Sequence, residues 1–230
     1  MLNEMMHRPV VMEKVLNYLR ENQRAFTGGV KEIEDFARQA GIPIIPHETA
    51  KFIDFLCAAR QPQTILEIGT AIGFSASLMA QHLQDGGHLT TIDRYPLMYE
   101  RAKKNFEKNG LKQKVTLLEG DAADILPNLE GPFDLIFMDS AKAKYVEFLP
   151  YCMNLLDMGG ILLIDDVFQG GTVFDAEETV PRKVRKIHRG LNNLLDLVLN
   201  AKNHRSCLLP LGDGLLMIRK ESATNQFIPN

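Results

Sequence analysis

From Thr64 onward, short apolar runs and amphipathic stretches follow one another in strict alternation, and no other feature constrains the fold as tightly. The pattern predicts strands over 64–68, 88–93, 114–119, 133–139 and 160–165, with helices over 75–83, 96–109, 122–126 and 144–156 between them. A strand followed by a helix and a short joint returns as a parallel neighbour, because a crossover helix is the usual way back across a sheet. A longer helical segment is predicted over 177–200. Two further strands, 206–211 and 215–219, flank Gly212-Asp213-Gly214, a turn signal that favours an antiparallel hairpin. The expectation is an α/β fold: a doubly wound, seven-stranded, mostly parallel sheet with an antiparallel last strand.

The first 60 residues read as helical. Val11, Val15, Leu16 and Leu19 recur at helical spacing within 10–20, and Phe26-Thr-Gly-Gly-Val30 interrupts the pattern. A short helix over 31–40 stops at Gly41. The extended Gly41-Ile-Pro-Ile-Ile-Pro46 then leads into a helix that runs to about residue 60, with Ala50, Ile53, Leu56 and Cys57 on one face. Residues 1–60 are expected to form an N-terminal helical cap, 61–220 the main domain, and 221–230 a disordered tail.

A chain of 230 residues buries enough surface to fold without a metal or disulfide staple. Its 26 Lys and Arg against 29 Asp and Glu give a net charge of −3, which excludes a generally basic nucleic-acid coat but leaves room for a local patch. Cys57, Cys152 and Cys207 are odd in number and lie far apart without a C-x-x-C, which argues against a disulfide framework and a zinc knuckle. The six histidines show no ligand spacing with one another or with cysteine. With no signal-peptide core and no apolar run near about 18 residues, the expected setting is a reducing cytoplasm, away from membranes.

In open parallel sheets, ligands bind beyond the carboxyl ends of the strands. Those ends read Glu67-Ile-Gly69, Asp93, Gly120-Asp121, Asp139 and Asp165-Asp166, a row of carboxylates that a buried core does not explain. The first end continues as Gly69-Thr-Ala-Ile-Gly73-Phe-Ser75: strand, glycine turn, helix start. Glycines let a backbone approach a ligand closely, and the helix N-terminus behind them orients polar ligand groups. A nicotinamide dinucleotide fold prefers G-x-G-x-x-G; Ala71 and Phe74 occupy its second and third glycine positions here, so the pyrophosphate fit is poor. The E-x-G-x-x-x-G spacing resembles motif I of the class I S-adenosylmethionine-dependent methyltransferases. That resemblance implies Asp93 on the cofactor's ribose and Asp121-Ala122 at its adenine.

Asp139 ends one predicted strand, and Asp165 and Asp166 end the next. Paired strands lie ~4.8 Å apart, so carboxylates at their tips can share one point. Asp165 and Asp166 would face opposite sides of a regular strand and converge only if the chain turns at once, as Val167-Phe-Gln-Gly-Gly171 permits. Three like charges at that spacing raise one another's pKa unless a cation joins them, and oxygen-only ligands favour Mg²⁺, Mn²⁺ or Ca²⁺ over zinc. The alternative is a solvated strand end that caps the following element. Lys142 reaches the same edge; it either accepts a proton, stabilises an oxyanion, or is an ordinary helix-start lysine.

Taken together, residues 65–75, Gly120-Asp-Ala122, 133–142 and 160–166 resemble the cation-dependent O-methyltransferases of the caffeoyl-CoA and catechol type, a Rossmann-like class I fold, over nearly all of 40–220. Within that group the likeness is greatest to the bacterial tRNA 5-hydroxyuridine methyltransferases, which make 5-methoxyuridine at the wobble position; Ile42-Pro-Ile44 and Leu211-Gly-Asp-Gly-Leu215 match that branch. The resemblance implies metal ligands at Asp139, Asp165 and Asp166. It puts cofactor contacts at Ile45, Glu67, Gly69, Gly73, Ser75, Asp93, Asp121, Ala122 and Asp139, catalytic roles on Lys142 and Asp139, and a homodimer. Two departures stand out: the family usually carries Asp-Asn where this chain has Asp165-Asp166, and Glu is common where Asp93 stands.

Either acceptor suits such a site. A catechol offers two vicinal hydroxyls, and 5-hydroxyuridine offers its 5-OH and O4, at chelating distance from one cation. A tRNA anticodon loop would also need a basic surface, and Arg182, Lys183, Arg185, Lys186 and Arg189 supply five cations in eight residues. Such a run is equally a solvated helix face. Three readings stay open: a tRNA wobble-uridine O-methyltransferase, a small-molecule catechol or phenylpropanoid O-methyltransferase, and a non-catalytic binding module on the same fold.

Overall fold

The computed structural model describes residues 11–225 and residue 227. Strand order in the sheet is β3 (Val115–Glu119), β2 (His88–Asp93), β1 (Thr64–Ile68), β4 (Phe133–Met138), β5 (Leu156–Ile164), β7 (Leu215–Lys220), β6 (His204–Leu209), the seven-stranded, Rossmann-like arrangement expected, with the last strand antiparallel. Contacts divide the chain into two compact units, Asn17–Asn128 and a second that runs from Leu129 onward and takes in the described residues before Asn17. The helix predicted over 10–20 is α1 (Glu13–Asn22); Val10 lies outside the described residues.

The first unit holds α2 (Gly28–Ala40), α3 (His47–Arg60), β1 (Thr64–Ile68), α4 (Phe74–Ala80), β2 (His88–Asp93), α5 (Pro96–Lys108), β3 (Val115–Glu119) and the short α6 (Ala122–Ile125). β1 pairs with β2, and β2 with β3, all parallel. Helix α2 starts three residues earlier than its apolar spacing suggests, because Gly28 makes the left-handed turn that lets Val30 bury from the first turn. Gly41, at φ 64°, ends it as predicted. Helices α2 and α3 both pack on α4, so these two cap helices share a unit with β1–β3.

The second unit holds β4 (Phe133–Met138), α7 (Tyr145–Leu155), β5 (Leu156–Ile164), α8 (Arg185–Leu199), β6 (His204–Leu209) and β7 (Leu215–Lys220). β4 and β5 are parallel, while β7 lies antiparallel between β5 and β6. The single helix predicted over 177–200 is corrected. Two 3₁₀ turns, Glu177–Thr179 and Arg182–Val184, come first, and α8 begins only at Arg185. Pro181 is the cause: it lacks an N–H and forces the residue before it, Val180, into an extended conformation. The segment expected to be a disordered tail packs back where it is described. Asn225 Nδ2 donates to Pro150 O and Asn154 Oδ1 at 2.7 Å each, and the buried Phe227 ring stacks on His204. Among the described residues no helix is long and apolar enough to cross a membrane.

Candidate active site

In the first unit, the glycine turn is shaped by a buried carboxylate. Glu67, fully buried on β1, accepts hydrogen bonds from Ser75 Oγ and Thr91 Oγ1, each at 2.5 Å. Thr70 Oγ1 lies 2.6 Å from Thr91 Oγ1 and extends the network into the turn. Glu67 and Ser75 were both expected on the cofactor. Their side chains bond each other across the turn and so set its shape.

Gly69 and Gly73 have φ of 109° and 80°, a region L side chains avoid. At Gly73 a Cβ would also stand 2.7 Å from the Phe106 ring of α5. Close helix packing therefore demands the second glycine. Asp93, at the end of β2, is held on both sides: Oδ2 accepts from Ala71 N and Oδ1 from Tyr95 N, each at 2.8 Å. Its carboxylate is thereby fixed beside the turn, where the vicinal hydroxyls of a ribose can donate to its remaining lone pairs.

Asp121 caps α6 by accepting from Ala123 N at 3.0 Å, and its other oxygen takes Arg94 Nη1 at 2.8 Å. Ala122 and Ile45 are buried. The Arg94–Asp121 pair joins the ends of β2 and β3, which is where an adenosine is expected. Sequence reasoning passed over Arg94 because a lone arginine after a strand carries no local signal.

In the second unit, Asp139 follows the last residue of β4, and Asp165 and Asp166 follow β5. The required turn is present: Asp166 adopts a left-handed backbone, φ 61°, tolerated best after glycine by Asn and Asp. The carboxylates influence one another strongly. Burial and then Asp166 push the Asp139 carboxyl up to about 7, with Lys142 opposing. Burial, Asp166 and Asp139 hold Asp165 well above the usual carboxylate range. Yet among the described residues no group of three His, Cys, Asp or Glu is arranged to hold a metal ion.

An internal cation pairs with one of these carboxylates. Lys142 Nζ lies 3.1 Å from Asp166 Oδ2 and 3.1 Å from Asp213 Oδ2. Burial disfavours its ammonium, but Asp166 and Asp213 outweigh burial and raise its pKa. Of the roles considered for Lys142, this arrangement suits the stabiliser of an oxyanion better than the base. The sequence marks Asp213 only as part of a turn signal. It is buried, its Oδ1 accepts Gly170 N at 2.5 Å, and burial followed by the opposing pull of Lys142 leaves its carboxyl at about 6. Tyr145 was also missed: its buried hydroxyl accepts from Ser140 N at 3.3 Å and steadies the turn after Asp139.

Three observations bear on a divalent cation here. The donors are all carboxylate oxygens, which suit a hard ion. Asp165 Oδ1 is buried without a hydrogen-bond partner among the described residues, a costly state for a carboxylate oxygen. Two of the three carboxyls are pushed toward neutrality, first by burial and then by the neighbouring carboxylates. In donor chemistry these residues suit such an ion.

The basic run does not form one unpaired surface. Arg185 donates from Nε to Val180 O and from Nη2 to Glu178 O, and Arg189 pairs with Glu177 at 2.8 Å. Arg182, Lys183 and Lys186 are exposed.

A sheet of this order, with a glycine turn after its first strand and carboxylates at its strand ends, defines a class I methyltransferase, an enzyme that draws its methyl group from S-adenosylmethionine. Residues 30–221 match the family described as O-methyltransferase, and the chain belongs to that family. It is 37% identical over 150 residues to a catechol O-methyltransferase of Niastella koreensis, covering 62% of this chain and 67% of that protein. A catechol O-methyltransferase of Mycobacterium tuberculosis is 32% identical over 153 residues, 63% of this chain and 70% of that one. Among solved structures, the SAH-bound methyltransferase PaMTH1 of Podospora anserina superposes with a TM-score of 0.80 at 27% identity, covering 91% of this chain and 95% of that one.

Proposed function

We propose that this chain methylates one hydroxyl of a small catechol-like acceptor with the aid of a divalent cation. The observation that carries the reading is Asp165 Oδ1, buried and without a hydrogen-bond partner among the described residues, beside Asp139 and Asp166. The names of the two bacterial relatives point to the same acceptor class. Asp139, Asp165 and Asp166 would hold the cation, with Mg²⁺ the first candidate and Mn²⁺ or Ca²⁺ the others. When bound, such an ion lowers the pKa of a chelated hydroxyl. Asp93 fixes the donor's ribose, the turn from Gly69 to Gly73 lets the donor approach the backbone, and the Lys142 ammonium offsets negative charge on the acceptor oxygen. Homodimer assembly belongs to the same reading and is checked by light scattering.

Methylation of 5-hydroxyuridine at the tRNA wobble position uses the same chemistry. The exposed Arg182, Lys183 and Lys186 support it, while the pairing of Arg185 and Arg189 narrows the surface available to phosphates. One assay separates the readings: labelled S-adenosylmethionine offered with Mg²⁺ to a catechol and, in parallel, to tRNA bearing 5-hydroxyuridine. The expected outcome is transfer to the catechol that collapses with chelator. Transfer to tRNA with an inert catechol moves the acceptor to RNA, and chelator-resistant transfer removes the cation. Retained donor binding with no transfer to either leaves a binding module.

A further inference from the structure

Lys142 lies between two carboxylates of unlike standing. Asp213 is fixed: Oδ1 accepts Gly170 N at 2.5 Å, and its carbonyl accepts Phe168 N at 2.8 Å. Its side chain is 3% exposed, against 18% for Asp166. Asp166 stands on a single left-handed residue and belongs to the set expected to hold a divalent cation. An ammonium and a metal ion on the oxygen that faces Lys142, Oδ2, repel each other, so each weakens the other's hold on Asp166. A neutral side chain at 166 would not draw the ammonium, so the contest arises from the aspartate this chain carries there.

We propose that Asp213 is a positioning residue, the counter-charge to which the Lys142 ammonium withdraws when Asp166 turns to a divalent cation. The inference rests on the cation reading above and goes further by assigning a role to a residue outside the ligand set. Asp213 acts through Lys142: it keeps the ammonium at the site edge and leaves Asp166 to the metal. Without it, Lys142 leans wholly on Asp166 and competes with the ion.

The test is calorimetric binding of Mg²⁺ alone to the full chain, without methyl donor or acceptor, which reads the site apart from turnover. Asp213→Asn keeps an oxygen for Gly170 N and removes the charge; it is expected to weaken Mg²⁺ binding by about tenfold. In a Lys142→Met background the same substitution is expected to change binding by less than about twofold, because the residue it acts through is gone. Equal losses in both backgrounds overturn the inference, since Asp213 would then act by through-space charge.

Should Asp213→Asn lose its cooperative melt, Asp166→Asn carries the test. Lys142→Met is expected to tighten Mg²⁺ binding by about tenfold in the native background and by less than about twofold when residue 166 is neutral; equal gains overturn the inference. Absence of Mg²⁺ binding by the unsubstituted chain overturns this inference and the cation reading together. Binding with parallel effects in both backgrounds overturns this inference alone.

Discussion

The carboxylate of Glu67 accepts the hydroxyl of Ser75 at 2.5 Å and so ties the end of β1 to the first turn of α4 across the glycine turn. Thr91 shares the same carboxylate. Glu67→Ala strands both hydroxyls in a buried setting and is expected to cost about 3 kcal/mol in a urea melt, with weaker donor binding as the turn relaxes. Glu67→Gln, which still offers an acceptor, is expected to lose about half as much. An unchanged melt for Glu67→Ala would remove the carboxylate from its structural role.

Gly73 faces two constraints, its φ of 80° and the Phe106 ring. Gly73→Ala is expected to destabilise by about 2 kcal/mol and to weaken donor binding, since both strain and overlap are imposed. Adding Phe106→Leu relieves the overlap but not the backbone strain, so about half of the loss should return. Full recovery would make packing the sole reason for the glycine.

Burial, with Asp166, pushes the Asp139 carboxyl up to about 7, whereas an unfolded chain titrates it near about 3.9. The folded form therefore binds this proton more tightly than the unfolded form. Its contribution is fully present below about pH 4 and is lost as the pH rises through about 7. In chelator, the melting temperature of the unsubstituted chain should fall relative to that of Asp139→Asn between pH 5 and pH 8. Excess Mg²⁺ should shrink that gap. A pH-independent difference between the two proteins would refute the assignment.

The left-handed backbone at Asp166 orders substitutions there. Asp166→Asn should fold with a near-native melt, because Asn accepts that region readily. Asp166→Val should lose about 2 kcal/mol, its branched side chain being unsuited to positive φ. Equal melts for the two variants would mean the turn rearranges.

Features that depend on neighbouring residues were legible in the sequence. The alternation beginning at Thr64 places the strands to within a few residues, since each needs only its own apolar pattern and a flanking turn. The carboxylates at the strand tips follow from those boundaries. Contacts between distant residues were not legible. Asp213 lies 71 positions from Lys142, and nothing around Gly212-Asp213-Gly214 distinguishes a turn that supplies a counter-charge from one that merely reverses the chain. Glu67 and Ser75 sit inside the motif, but its spacing does not reveal that their side chains bond each other. The helix predicted across 177–184 failed because apolar spacing outweighed Pro181 in the reading, although proline breaks the hydrogen-bond ladder whatever its neighbours.

The reversal of β7 between β5 and β6 governs how tightly this architecture restricts its own variation. Ile164 of β5 faces Leu216 of β7, so the β6–β7 loop emerges alongside the tip of β5; a parallel last strand would have sent that loop to the opposite margin of the sheet. Val167 N donates to Gly214 O at 3.0 Å, and a Cβ on Gly214 would overlap the Phe168 ring, so the loop is held tightly where it enters β7. A one-residue insertion between Leu209 and Leu215 would have no slack to absorb it and would carry Asp213 away from Lys142. Descendants of this sequence are therefore free to lengthen most surface connections, but not this one.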